Sequence, residues 1–249
     1  MKDQTWIQLN KIYNEDCLNT LARMPDNYID LTVTSPPYNI VIRYDGYKDS
    51  RPYADYFAWM ECWLRELYRV TKADGRVCIN HYLSMSMNGE RCSPIANIIS
   101  IADKLGFKYH GIAVWTDRTV SKLTAWGSWL SASAPYVNTP YEGVIILYKE
   151  RWKKDTAGKT NIPKKEFISG CSGVWNLKTE NRKLHPAAFP VSLPSRCIQL
   201  FSYERDVVYD PFIGTGTTAI ACKNLNRNFI GSEISKKYCA IAESQLNEL

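Results

Sequence analysis

Apolar positions along the chain follow two different spacings. Ile29-Asp-Leu-Thr-Val-Thr34 sets an apolar side chain at every second residue, which predicts a strand running into a Pro-Pro turn. Tyr53–Val70 instead places Phe57, Met60, Leu64, Leu67 and Tyr68 three or four residues apart, the spacing of an amphipathic helix. Short apolar runs at Arg76–Asn80, Tyr109–Trp115 and Gly143–Tyr148 read as further strands, with a helix at Pro94–Leu105. Downstream the pattern predicts a helix at Val191–Phe201, with Pro194 in its first turn. Then come a strand at Val207–Tyr209, a helix at Thr217–Asn224, a strand at Phe229–Gly231 and a helix at Lys236–Leu246. Such alternation predicts an α/β fold, with a mostly parallel sheet covered by helices on both faces. The least regular stretches are Ser121–Tyr141, rich in Ser, Trp and Pro, and residues 151–184.

Length and composition narrow this picture. At 249 residues and 45% hydrophobic content, the chain fits one domain with a full core. The start shows no basic-then-apolar leader, and no apolar run approaches the roughly 18–20 residues of a membrane span. A cytoplasmic protein without a membrane partner is expected. Eight cysteines are scattered without CxxC or CxxH spacing, so metal-ligand pairs are absent and reduced thiols are expected.

The formal net charge of +6 is concentrated. Between Arg151 and Lys183, nine Lys and Arg residues stand against three acids, which accounts for the whole excess. Arg151, Lys153, Lys154, Lys164, Lys165 and Arg182 are therefore candidate contacts to a polyanion. A solvated lysine-rich loop is the plainer reading of the same residues.

Two segments carry candidate chemistry. Val207-Val-Tyr-Asp-Pro-Phe-Ile-Gly-Thr-Gly-Thr-Thr-Ala219 reads as strand, tight turn and helix, with Gly214 and Gly216 allowing close ligand approach. Glu233 follows the next strand, placed to accept hydrogen bonds from ribose hydroxyls. The turn by itself also fits a dinucleotide site. Only 30 residues follow Ala219, however, too few to build a dinucleotide fold from this first strand. The second segment, Ser35-Pro-Pro-Tyr38, leaves a strand at the end where α/β sheets bind ligands. Its hydroxyl and proline-fixed carbonyls can accept protons from an amine, and Tyr38 offers a ring for stacking a base. An aromatic amine needs such acceptors, because its lone pair is delocalised into the ring until the nitrogen becomes more tetrahedral. A Pro-Pro strand exit with an incidental Tyr remains the alternative.

Together these segments resemble the amino-methyltransferase branch of DNA methyltransferases. That family's catalytic motif, Asp/Asn/Ser-Pro-Pro-aromatic, is matched by Ser35, Pro36, Pro37 and Tyr38. Its cofactor motif is similar to Asp210-Pro-Phe212-Ile-Gly214-Thr-Gly216. The order, catalytic motif first, is that of the circularly permuted beta group with a Rossmann-like methyltransferase fold. Asn14-Glu-Asp16-Cys-Leu18 resembles the family segment near the cofactor adenine. His185-Pro-Ala-Ala-Phe189-Pro190 resembles the segment lining the methionine end, with Phe189 where Lys is usual. Val114–Trp115 and Glu142–Lys149 look like the paired strands near the target base.

The resemblance implies S-adenosylmethionine as cofactor, held by Asp16, Phe189, Asp210, Phe212, Gly214, Gly216, Thr217 and Glu233. It implies methyl transfer to the N4 amine of a flipped-out cytosine, since Ser rather than Asp opens the motif; N6 of adenine is the alternative. Double-stranded DNA and a cognate restriction endonuclease are the implied partners, the enzyme itself being a monomer or homodimer. Arg43, Lys48 and Arg51, in a loop directly after Tyr38, would close over the flipped base and its phosphates. The basic stretch 151–184 would be the target-recognition insertion. Cytosine C5 methylation would need a Pro-Cys nucleophile, and no Pro-Cys dipeptide occurs. An RNA or protein amine methyltransferase, or a non-catalytic DNA-binding protein, is the reading from another class.

Overall fold

The computed structural model describes residues 6–87, 90–117, 127–128, 130–137, 139–178 and 189–249. The first half contains β1 (Lys11–Tyr13), α1 (Cys17–Ala22), β2 (Ile29–Thr34), β3 (Arg43–Tyr44), β4 (Tyr47–Lys48), α2 (Tyr53–Val70) and β5 (Thr71–Tyr82). It continues through β6 (Met85–Met87), β7 (Glu90–Cys92), α3 (Pro94–Lys104), β8 (Lys108–Thr116) and β9 (Glu142–Tyr148). The second half contains α4 (Lys164–Gly170), β10 (Val174–Asn176), α5 (Ser192–Phe201), β11 (Val207–Asp210), α6 (Thr217–Asn224), β12 (Asn228–Ser232) and α7 (Lys236–Asn247).

Eight strands form one sheet in the order β1-β12-β11-β2-β5-β9-β8-β10. Only β9 runs against its neighbours, so the sheet is mostly parallel, as expected. The strand alternation sorts side chains to two cores. Leu31 and Val33 of β2 pack with Leu193 and Ile198 of α5 and Ala219 and Cys222 of α6. Ile29 joins the opposite face, with Met60, Trp63, Leu64 and Leu67 of α2, because the register of β2 shifts between Ile29 and Leu31 and breaks the strict alternation there. Those four helix residues are fully buried, each worth about 1.5–3 kcal/mol of stabilisation. Helix α2 stops where Thr71 turns extended and its hydroxyl donates to the Leu67 carbonyl at 2.6 Å.

Because the parallel strands point one way, the sheet has a carboxyl edge and an amino edge. The basic stretch begins at the amino edge: Arg151 N–H donates to the carbonyl of Ala73, and Asp155 N–H to the Asp74 carboxylate. Lys154, expected to contact phosphate, is instead buried there, its side chain 8% exposed. It pairs with Asp206 at 3.1 Å and Asp30 at 3.5 Å, near the starts of β11 and β2. Both carboxylates already neutralise it, so it is withheld from DNA. Lys159 pairs with Glu204, and Arg151 with Asp155. Among the described residues, no helix is long and apolar enough to cross a membrane.

Candidate active site

A cleft of about 130 Å³ opens at the carboxyl edge, where β1, β2, β11 and β12 end. Its floor is the turn between β11 and α6. The Asp210 carboxylate is buried and accepts hydrogen bonds from Thr34 Oγ1 at 2.7 Å, Thr218 Oγ1 at 2.6 Å and Phe212 N–H at 3.0 Å. Burial pushes its pKa up to about 6, against the lowering effect of those three donors. Gly214, at φ +54°, turns its N–H onto Glu233 Oε2 at 3.0 Å, and Ser235 N–H donates to Glu233 Oε1 at 2.7 Å. The Glu233 carboxylate is thereby fixed facing the cleft, and burial raises its pKa while the backbone donors oppose the rise. Asp16 stands across from it, capping α1 by accepting the Leu18 N–H at 2.8 Å.

The structure divides the expected cofactor residues. Asp16, Phe212, Gly214 and Glu233 border the cleft. Asp210 lies beneath, bracing the turn against β2. Gly216, at φ +90°, serves packing: a Cβ there would meet Ala242 Cβ at 2.8 Å. Thr217 opens α6, and Phe189 packs on the α5–α6 core, both outside the cleft lining.

Ser35, Pro36, Pro37 and Tyr38 form another wall of the cleft. Ser35 Oγ donates to the Tyr38 hydroxyl at 2.7 Å, which donates onward to Glu142 Oε2 at 2.7 Å. Asn80 Nδ2 donates to both the Tyr38 hydroxyl (2.8 Å) and Glu142 (2.6 Å). The Pro37 carbonyl accepts from Tyr56, whose hydroxyl also lies 2.9 Å from His81 Nε2. His81 is buried, which lowers its pKa to about 3 and keeps it neutral. Tyr38 departs from the expected stacking platform. Its ring is 4% exposed and packs against His81 (4.5 Å) and Tyr82 (4.9 Å). Burial and the Glu142 carboxylate raise its pKa, so the phenol keeps its proton.

The loop after Tyr38 is tightly built. The Asp49 carboxylate accepts N–H groups from Asn39, Ile40 and Ile42 at 2.7–3.0 Å, and the Asn39 amide clasps the Arg51 backbone at 2.6 and 2.8 Å. The β3–β4 hairpin roofs the cleft with Tyr44, Asp45 and Tyr47, and Ser235 Oγ donates to Asp45 at 2.6 Å.

A bound nucleoside with a methylene tail fits this arrangement. A pinned carboxylate awaits a diol, a glycine turn leaves backbone accessible, and Phe212, Trp59 and Tyr238 supply ring surface. The sequence profile of the DNA methylase family, spanning N6 and N4 enzymes, matches residues 29–244. This chain belongs to that family. The methylase is 42% identical to the type II methyltransferase M.MjaVI of Methanocaldococcus jannaschii over 181 residues, 72% of this chain and 91% of the relative. It is 30% identical to the type II methyltransferase M.BglII of Bacillus subtilis, over 94% of this chain and 68% of the relative. A proposed DNA modification methylase of Thermus thermophilus, solved with S-adenosyl-L-methionine, superposes with a TM-score of 0.75 at 26% identity, covering 96% and 93% of the two chains. The PvuII cytosine-N4-specific DNA methyltransferase shares the fold, with a TM-score of 0.73 at 23% identity over 96% of this chain and 86% of that one. The methylase acts on DNA with S-adenosylmethionine as methyl donor.

The remaining expected DNA contacts scatter over the methylase. Lys48 is exposed on the hairpin, and Lys164 and Lys165 are exposed in the first turn of α4. Lys153 is exposed beside the amino edge, far from the cleft with Arg151 and Lys154. Arg51 points under the roof and lines the cleft. Arg182, His185 and the side chain of Arg43 lie outside the described residues. Glu142 and Asn80 were not singled out in the sequence. The available signal was a polar residue at the end of an apolar run, Asn80 on the strand beside β2 and Glu142 on the next strand over.

Proposed function

We propose that this methylase modifies the N4 amine of cytosine in a base flipped out of duplex DNA. The supporting observation is the direction of the Ser35 hydrogen bond. Its proton is committed to Tyr38, so the Ser35 oxygen presents lone pairs to an incoming amine. Ser35 accepts one amine proton while the backbone held by Pro36 and Pro37 offers a carbonyl, and the nitrogen lone pair turns out of the ring. When bound, the cofactor supplies a methyl group on a sulfonium, which would keep the C–S bonding pair and leave as a neutral thioether. The amine proton released would pass to Ser35 Oγ, whose own proton would move to Tyr38 and the Tyr38 proton to Glu142. Asn80 holds the two acceptors of that relay in place.

The sheet supports a circularly permuted member: β2, with the catalytic motif, precedes β11 in the chain yet lies beside it. Target reading falls to the connection around residues 127–137, where Leu130 and Val137 are 89% and 77% exposed, and to the part of the 151–184 stretch beyond the amino edge. A cognate restriction endonuclease fits the type II relatives. One observation favours adenine N6 as a second reading. Glu142 brings into the network the carboxylate that an Asp at the first motif position would supply.

Transfer of label from S-adenosylmethionine to mixed-sequence duplex DNA, followed by nucleoside analysis, tests the proposal. N4-methylcytosine is the expected product. N6-methyladenine would overturn the cytosine reading and retain the relay.

A further inference from the structure

Behind the Ser35–Tyr38 wall lies a buried polar chain that the proton relay does not use. β5 pairs with β2 through Ile79 and Thr34, so its next two residues stand level with the motif. Asn80 reaches the Tyr38 hydroxyl and Glu142. His81 instead meets the Tyr56 hydroxyl at 2.9 Å, and that hydroxyl meets the Pro37 carbonyl at 2.8 Å. His81 is 0% exposed and Tyr56 1%. Tyr56 stands near the start of α2, its ring packed on Phe57 and Trp59 at 5.0 and 5.8 Å between centroids. Neither Tyr56 nor His81 lines the cleft.

The Tyr56 phenol has one proton and two neighbours. A carbonyl can only accept, so both bonds form only when His81 Nε2 carries the imidazole proton and donates to the Tyr56 oxygen. The chain then has one sense, from His81 through Tyr56 to Pro37. It ends on the freedom that the prolines leave. Their rings fix φ at Pro36 and Pro37, and ψ is the soft torsion that remains. The ψ of Pro37 sets the direction of its carbonyl and, with it, the place of Tyr38, which takes the Ser35 proton.

We infer that Tyr56 and His81 are positioning residues for methyl transfer: by holding the Pro37 carbonyl, they set Ser35 and Tyr38 against the incoming amine. This assignment rests on the reading of Ser35–Tyr38 as the catalytic motif. Donors held by packed rings need no ordering at the moment of reaction, and misplacing an acceptor by about 1 Å is felt in rate rather than in cofactor binding.

Single-turnover methyl transfer to mixed-sequence duplex DNA at saturating S-adenosylmethionine tests the assignment. Calorimetric binding of S-adenosylhomocysteine is measured alongside, on wild-type protein, Tyr56→Phe, His81→Phe and the double variant. Tyr56→Phe keeps the ring and removes the donor. It should slow transfer about 10-fold with cofactor affinity unchanged. His81→Phe should slow transfer about threefold, and should add nothing in the Tyr56→Phe background, because His81 acts through the Tyr56 hydroxyl. An unchanged rate in Tyr56→Phe, a matching loss of cofactor affinity, or effects that multiply in the double variant would each overturn the assignment. Should His81→Phe not fold, the rate and affinity of Tyr56→Phe decide alone. Ser35→Ala tests the underlying reading separately: normal turnover there would show that the motif is not catalytic, whatever Tyr56→Phe does.

Discussion

The two edges of the sheet use the same residue types in opposite ways. At the amino edge, Lys154 is shared between Asp30 and Asp206, and Arg151 is held by Asp155, so charges are spent on one another. At the carboxyl edge, Arg51 has no carboxylate partner among the described residues, and Glu233 and Asp16 keep acceptor capacity facing a cleft. A basic residue therefore says little about a ligand until its neighbours are known. Charge that is satisfied internally holds the fold, and charge left unsatisfied around a cavity is available for binding.

Substitutions can break this contrast. Ser35→Ala should lower kcat by about 10²–10³-fold while cofactor affinity stays within twofold, since one acceptor of the amine is removed and nothing in the cofactor contacts changes. Loss of cofactor affinity in calorimetry would show that Ser35 belongs to a different part of the cleft. Lys154→Ala at the other edge should do the reverse. Stability in urea should fall by about 1–3 kcal/mol, because partly buried Asp206 loses its cation while Asp30 keeps Lys72 at 2.7 Å, with turnover of the folded fraction unchanged. A drop in DNA affinity with no loss of stability would contradict the amino-edge assignment.

Asp210 lies between the two behaviours, and its test is pH. Its folded-state pKa of about 6 stands above the ordinary 3.8. Between those values the folded chain holds a proton that the unfolded chain has released, so this residue's contribution to stability falls as pH rises from about 4 to 6. The gap corresponds to a loss on the order of 3 kcal/mol, complete above the upper value. Asp210→Asn cannot ionise and should lack that slope in unfolding free energy measured from pH 4 to 7; parallel curves for the two proteins would refute the raised value. The smallest effect is expected from Glu142→Gln, which keeps an acceptor for Tyr38 but cannot take a full proton. A fall in kcat of about tenfold with unchanged cofactor affinity is expected, and an unaltered kcat would remove Glu142 from the relay.

Long, strongly patterned elements were legible in the sequence. The bounds of α2 and β2 follow from apolar spacing and from the residues that stop each element, and α6 follows from the glycine turn that opens it. Short elements were not: α1 and α4 have six and seven residues, and β10 has three, held by pairing with Val114–Thr116 rather than by any pattern of its own. In the site, local motifs revealed Ser35–Tyr38, Gly214 and Glu233, because each is tied to a strand end. Partnerships across the chain stayed hidden. Nothing near Lys154 announces Asp30, and nothing near Ser35 announces Glu142. The latter reaches the Tyr38 hydroxyl only because β9 is reversed, which sets its first residue opposite Tyr82, the last residue of β5.

That reversal has a consequence for how such an enzyme can change. β8 ends at Thr116 and β9 begins at Glu142 on the same rim, so the chain leaves and re-enters the sheet at its carboxyl edge. β10, parallel to β8, also delivers the chain to that rim at Asn176. Under the proposed assignment of target reading to these connections, a change in their length or sequence would leave the sheet, the ion-paired amino edge and the proposed Ser35 relay intact. Taste for a new DNA sequence can then evolve without relearning how to fold or how to transfer a methyl group.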